Sequence, residues 1–490
     1  AFTDRTKVTV EFSFLDYLAQ QPGGLTDAQF EEDPTFSNRT RNWFDVDWKL
    51  YSLRLDHALS SKTDVSLNVF ALDASRKSIG FRENRVSQID DLEAPRELIV
   101  GNFKNWGAEG RLLTRYNLLQ REQTLLVGAK YYQSNNSERQ GPGTNGADAN
   151  FSFADIEYPD YARQSDFTFP NLNVALFGEQ IFRVSDKLSI TPGIRIEYIK
   201  TESQGAYKNI IFDLAGNPIV NETLPDNRDF ERNFALFGIG ASYKASNVTE
   251  LYANVSQNYR SVTFNDIRIT NPSLTIDPNI TDEQGYTFDV GARGRLKKYL
   301  SYDVGVFLLS YQDRLGVIVR EVSDIQDERF RGNIGDAITY GLESFVDWNV
   351  WETFSANESF RLNAFVNLAF TESEYTSSQE NNVEGKQVEF IPKVNLKKGL
   401  SFGYKNFLSS IQYTYLAKQF TDATNSPRDL SSQSGIVGEI PSYDILDLSL
   451  SYTYESFKLE SCINNMLDKS YFKIRAKGNP GPGIITSLPR

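Results

Sequence analysis

Leu446-Asp447-Leu448-Ser449-Leu450-Ser451-Tyr452-Thr453-Tyr454-Glu455 decides the fold. Apolar and polar residues alternate at every step, which is the period of a β-strand with one apolar face. An amphipathic helix would set its apolar residues three and four apart, and this stretch does not. The pattern recurs elsewhere. In 188–198, Leu188, Ile190, Pro192, Ile194, Ile196 and Tyr198 oppose Ser189, Thr191, Gly193, Arg195 and Glu197. Pro192 lacks a ladder donor and predicts a bulge or local irregularity. Leu251, Ala253 and Val255 repeat the alternation, as do Val65, Leu67, Val69 and Ala71.

Between such runs the connections alternate in length. Tight ones fall near 59–62, 119–122, 184–186, 245–247, 298–299, 351–356, 405–407 and 455–457. Long polar ones fall at about 19–42, 76–100, 136–170, 202–230, 261–283, 321–330, 374–389 and 420–441. About seventeen strands fill the intervals, from 5–18 to 457–466. Short turns at one end and long loops at the other are the rhythm of an all-β transmembrane antiparallel barrel with long extracellular loops, its apolar residues facing lipid. A sandwich or propeller would not keep its long loops on alternate connections.

Composition agrees. Of 490 residues 40% are hydrophobic, yet no run reaches the roughly 18 apolar residues of a membrane helix. Aromatics make up 13%, with 25 Tyr and 34 Phe, enough for girdles at two interfaces. A net charge of −13 argues against nucleic acid as a partner. The single cysteine, Cys462, excludes an internal disulfide framework, and the single histidine, His57, argues against a histidine metal cluster or haem ligation. No cofactor and no protein-held metal are expected. The chain opens at Ala1 without a visible signal peptide and ends at Arg490 inside an apparent loop, which reads as a fragment or a processed domain.

Ile463-Asn464-Asn465-Met466-Leu467-Asp468-Lys469-Ser470-Tyr471-Phe472 resembles the Asn-Asn-Leu-Phe-Asp-x-x-Tyr box of TonB-dependent outer-membrane receptors. In the same order, Phe177-Gly178-Glu179 with Ser189 to Arg195, Asn271-Pro272-Ser273-Leu274 with Glu283 to Gly294, and Asn333 to Glu343 resemble the family's strands. Gln21 to Phe30, Asp33-Pro34 and Ser37 to Trp43 are similar to the ferric dicitrate receptors, the FecA type. The resemblance implies about 22 strands around a plug, so residues 1–490 are expected to be an incomplete barrel domain. A plug and a TonB box would lie upstream of Ala1, and one closing strand would follow. It also implies the outer membrane of a Gram-negative bacterium, with TonB, lipid and lipopolysaccharide as partners. The cargo would be ferric citrate or a related siderophore.

An iron–citrate chelate is anionic, and Arg offers a fixed fork for carboxylate oxygens. Arg39 and Arg41 close the first long segment. Arg76, Lys77, Arg82 and Arg85 stand against only Glu83 in the next, while Asp90, Asp91, Glu93, Arg96 and Glu97 cancel that excess further on. Arg39, Arg41, Arg82 and Arg85 are therefore the candidate ligand-binding residues, joined by Gln257, Asn258 and Arg260 at the outer end of a strand. The competing reading for these arginines is pairing with loop carboxylates or lipopolysaccharide phosphates. Arg195 beside Glu197 reads as part of a wall ion network. Asp27, Glu31, Glu32 and Asp33 match no EF-hand spacing and read as a solvated acidic loop. A passive porin or adhesin barrel is the alternative function. A barrel hydrolase is disfavoured, because His57 sits near a short turn, away from the long loops.

Overall fold

The structure is a computed structural model and describes residues 3–83, 85–267, 274–323, 326–355, 357, 359–476 and 482–487. The motif residues Asn271, Pro272 and Ser273 and both chain termini lie outside the described residues.

The first half of the chain runs β1 (Thr6–Gln20), α1 (Asp27–Glu32), β2 (Trp43–Ala58), β3 (Thr63–Gly80), β4 (Glu97–Leu118), β5 (Arg121–Pro142), β6 (Ser165–Arg183) and β7 (Leu188–Phe212). It continues through β8 (Pro218–Pro225), β9 (Arg228–Lys244), β10 (Thr249–Arg260), α2 (Phe264–Ile267), β11 (Leu274–Ile276), β12 (Glu283–Leu296), β13 (Leu300–Ser323) and β14 (Gln326–Asn349). The remainder is α3 (Val350–Phe354), β15 (Phe360–Ser377), β16 (Val394–Tyr404), β17 (Phe407–Leu416), β18 (Gln419–Phe420), β19 (Glu439–Ile440), β20 (Tyr443–Tyr454), β21 (Phe457–Ile463), β22 (Tyr471–Ala476) and β23 (Gly483–Ser487).

Nineteen strands share one sheet. β8 and β11 are side branches on β7 and β14, so seventeen form an unbroken antiparallel wall from β1 to β21, the number expected from the sequence. Among the described residues no ladder joins β21 back to β1. The wall nevertheless curves round, because the segment after β1 touches the hairpin β22–β23 through the bridge Leu25–Ile484. Parity along the strands separates two faces. Leu450, Tyr452 and Tyr454 are 38%, 47% and 60% exposed, while Ser449 on the opposite face meets the Ser410 hydroxyl at 2.6 Å. This is the apolar-out, polar-in division that the alternation predicts.

The structure differs from the sequence reading at the long-loop end. β3 runs on to Gly80, β5 to Pro142 and β7 to Phe212. Residues 321–330, read as a long connection, continue the β13–β14 ladder through Ser323–Gln326. These extensions carry little apolar alternation. Beyond the lipid no face need be apolar, since the ladder satisfies the backbone by itself; the ends of β3 and β5 are buried among the cap loops instead. Pro192 causes no bulge. Its register with β9 is continuous, and on the β6 side the ladder skips Thr191 and Pro192 and resumes in step.

Inner-face rings lie over glycines. Tyr252 donates to Asp303 Oδ1 at 2.9 Å, and a Cβ on Gly291 would stand 2.5 Å from the Tyr252 ring and 2.7 Å from the Val304 carbonyl. Gly291→Ala is expected to cost about 1–3 kcal/mol by overpacking, read as a lowered midpoint of denaturation in detergent. An unchanged midpoint would show that Tyr252 yields freely.

Among the described residues the buried apolar clusters lie at the long-loop end. One cluster joins Ile318, Phe330, Ile334, Ala337, Tyr375, Val383, Val388 and Ala423. A second joins Leu25, Phe30, Ile440, Phe472 and Ile484, and a third Val262, Ile267, Ile276, Ile280 and Leu315. The loops thus form a folded cap above the wall.

Candidate ligand site at the long-loop end

Arg39 and Arg41 sit two residues apart in the extended entry to β2, so both side chains reach the 81–96 loop. Arg41 is 1% exposed. Its Nε and Nη2 donate to the two Asp90 oxygens at 2.7 and 2.6 Å. Its remaining donors go to the carbonyls of Asp91, Leu92, Ala94 and Asn145 at 2.5–3.3 Å. With every N–H engaged, Arg41 staples two loops and presents nothing to a ligand.

Arg82 is likewise internal. Its Nε and Nη2 both reach Glu97 Oε1, at 3.1 and 2.8 Å. Arg163 Nε takes the other oxygen of Glu97 at 2.8 Å and pairs with Glu83 as well. Burial opposes the Arg163 charge, but Glu97, Tyr161 and Glu83 outweigh it and hold the guanidinium above its ordinary range. Burial, with Glu97 beside it, raises the Tyr161 phenol. Lys77 reaches Asp45 at 2.8 Å, and Arg76 lies 5.6 Å over the Phe103 ring. Of the expected basic excess of 76–85, Lys77 and Arg82 are thus matched by carboxylates from neighbouring segments.

Arg39 and Arg85 have no carboxylate at ion-pair distance among the described residues. Arg39 is buried and donates only to the carbonyls of Asn38, Val86 and Gln88, at 2.8, 3.0 and 3.2 Å, with its guanidinium 4.7 Å over Phe81. Burial lowers its pKa, partly offset by Asp90 and Glu83. Arg85 is exposed. Of the four loop arginines singled out by sequence, Arg85 alone offers a guanidinium to solvent.

The outer end of β10 divides by parity. Asn258 faces inward and donates to Thr287 Oγ1 at 3.2 Å. Arg260 holds Asp266 at 2.8 Å and Glu283 at 3.1 Å while remaining half exposed. Gln257 shares the outward parity of Val255 and stands opposite exposed Tyr286. Its Oε1 accepts from the Phe237 amide at 2.9 Å, just past the end of the β9–β10 ladder. The structure thus sets Gln257 apart from the vestibule, because it fills a gap in the ladder. Arg195 pairs with Glu197 on the inner wall, as expected. His57 faces outward at the short-turn end beside Thr6, with Nδ1 and Oγ1 2.9 Å apart.

Sequence reasoning missed the carboxylate hubs. Asp27, assigned to a solvated acidic loop, is fully buried and accepts from Arg475 and Arg428. Asp282 takes both Arg232 Nε and Nη2 at 2.8 and 2.9 Å. Arg314, Glu389 and Tyr375 form a third centre, in which the Tyr375 hydroxyl donates to Glu389 at 2.7 Å. No local signal marks these pairs, since the partners of Asp27 lie about four hundred residues away. Lower on the inner wall, a recess of about 720 Å³ is lined by Tyr252, Thr287, Asp289, Asp303 and Glu343 among others. Its three carboxylates disfavour an anion in that recess.

The sequence profile of the family described as TonB dependent receptor-like, beta-barrel matches residues 1–466. The rhizobactin receptor of Rhizobium meliloti (strain 1021) is 29% identical over 97 residues, covering 19% of this chain and 13% of that protein. Among solved structures, the unliganded ferric citrate transporter FecA superposes with a TM-score of 0.77 at 19% identity, covering 100% of this chain and 67% of that one. The ferric yersiniabactin uptake receptor FyuA from Yersinia pestis gives 0.73 at 13% identity, over 99% and 66%. The chain thus spans about two thirds of these solved receptors and a small part of the curated relative.

Proposed function

The chain belongs to the TonB-dependent receptor-like β-barrel family, a family of outer-membrane transport receptors and not of enzymes, and from that membership we propose that it binds and imports a ferric siderophore. The chelate we propose is iron(III) dicitrate. Residues 1–490 are the barrel part of the receptor in this reading, lodged in the outer membrane of a Gram-negative cell. The chelate is captured by the cap, enclosed by loop movement and released inward when TonB draws on the proton gradient. The cargo's bonds are not altered by the transporter.

The observation that carries the citrate reading is Arg85, an exposed guanidinium on a loop where Arg41 and Arg82 are held by buried carboxylates. Arg39, buried without a carboxylate, adds positive potential beneath it. Together they make a local anion focus on a chain of net charge −13. Arg260 and Asn258 border the same mouth. One charge-assisted hydrogen bond contributes about 1.5–3 kcal/mol where water is excluded. Arg85→Ala in the full-length receptor is therefore expected to weaken ferric citrate binding about tenfold to a hundredfold. Equilibrium titration checks this, and unchanged affinity would remove the basic focus from the argument. Arg82→Ala should act through loop order instead, weakening binding together with protease resistance of the 81–96 loop.

A further inference from the structure

One lysine lies on the outer face of the wall, in the middle of its apolar band. β16 has 11 residues, the length that crosses a bilayer with little to spare. Its outward positions are Val394, Leu396, Lys398, Leu400, Phe402 and Tyr404, of which Leu400 and Phe402 are 52% and 45% exposed. Lys398 is the fifth residue of the strand, so it stands near mid-depth. Parity fixes its face. Its register partner on β15 is outward Val366, whereas neighbouring Lys397 pairs with Asn367, which lines the inner-wall recess.

Lys398 is exposed and has no carboxylate at ion-pair distance among the described residues. Its ammonium lies 5.1 Å from the centre of the Tyr413 ring. Tyr413 is the residue directly across the ladder on β17, so the side chain runs sideways from its strand and not along it toward either interface. Snorkelling would need the other direction. A four-carbon stem also covers only about half of the roughly 12 Å from the middle of the band to its edge. A cation facing lipid at this depth is a costly placement, and one aromatic face replaces a counter-ion only in part.

We propose that the outer face of β15–β17 is a docking surface inside the membrane, and that its occupant is a membrane-embedded segment of a second protein that brings a carboxylate to Lys398. Charge complementarity selects this occupant. Ionised side chains within a membrane pair with one another, and Val366, Leu396, Leu400 and, beyond Tyr413, Leu446 supply the apolar surround in which such a pair is strong. A second copy meeting through the same face would set Lys398 against Lys398. The docking surface is independent of which chelate is carried.

Photo-crosslinking of the full-length receptor, in the outer membrane of the cells that naturally carry it, tests this. A benzophenone amino acid in place of Leu396, one outward position from Lys398, is expected to give one protein adduct. The captured protein should carry an Asp or Glu in a membrane-spanning segment. The adduct should fall at least about tenfold in Lys398→Leu, which removes one member of a desolvated charge pair, and persist in Lys398→Arg. In Lys398→Glu it should return only when the captured protein's carboxylate is changed to Lys. Lys398→Leu is expected to fold, since it takes a charge out of lipid, and heat-dependent gel mobility of the barrel checks that. Lipid adducts alone would make a lipid phosphate the counter-ion and overturn the protein partner. An adduct of two receptor chains, or one unchanged in Lys398→Leu, would also overturn the proposal.

Discussion

Glu97→Ala is expected to loosen the β3–β4 loop by about 3–5 kcal/mol, the usual cost of removing one partner from a buried ion cluster. Each carboxylate oxygen of Glu97 serves a different guanidinium, Arg82 on Oε1 and Arg163 on Oε2. Its removal leaves Arg82 buried without its main acceptor and leaves Arg163 with Glu83 alone. The wall beneath is held by ladders that do not involve this side chain, so the effect should stay local. Amide exchange in peptides covering 81–96 and 159–165 should accelerate by about two to three orders of magnitude, with the β12–β14 ladder unaffected. Glu97→Gln keeps two polar oxygen and nitrogen positions but removes the charge, and should fall between. If exchange in 81–96 did not change, the triad would not be what orders this loop. Because Arg85 is carried on that loop, Glu97→Ala should also weaken ferric citrate binding. It should differ from Arg85→Ala in changing exchange and affinity together.

The contrast between wall and cap explains what could be read from sequence. The wall was legible because lipid and lumen demand opposite chemistry on alternate residues, so 446–455 and 188–198 declare their own faces. The number of wall strands and the order of short and long connections followed from that alone. Strand length was not legible where β7 and β13 rise past the apolar band, since period-two hydrophobicity disappears once no face meets lipid. Residue types in the cap were informative, but their partners were not. Arg39, Arg41, Arg82 and Arg85 look alike in sequence. Only the fold separates Arg41, saturated by Asp90 and four carbonyls, from exposed Arg85. Gln257 looked like a rim residue because it ends a polar run, although the alternation of Leu251, Ala253 and Val255 already carries it to the outward face; its hydrogen bond to the Phe237 amide shows only in the fold. Asp27 was read with Glu31 and Asp33 as solvated, although the Thr26–Gln29 cap that turns it inward is visible in the sequence as Thr-x-x-Gln.

Asp27→Leu provides the second large effect, and its sign can be reversed. Leucine keeps the branched shape of aspartate, with bulkier methyl ends, but leaves Arg475 buried among the Gly435 and Glu439 carbonyls with no counter-charge. The expected cost to this joint is about 3–5 kcal/mol, read as faster exchange in 24–32 and 471–476. Arg428 contributes less to that penalty, being partly exposed and also paired with Glu31. Adding Arg475→Met removes the stranded charge and converts the centre to an apolar one. Replacing a buried ion pair in this way is often neutral or stabilising by about 1–4 kcal/mol. The double variant should therefore exchange in the same peptides as slowly as the wild type, or more slowly. A double variant that exchanges as fast as Asp27→Leu alone would show that the stranded Arg475 charge is not what loosens the joint.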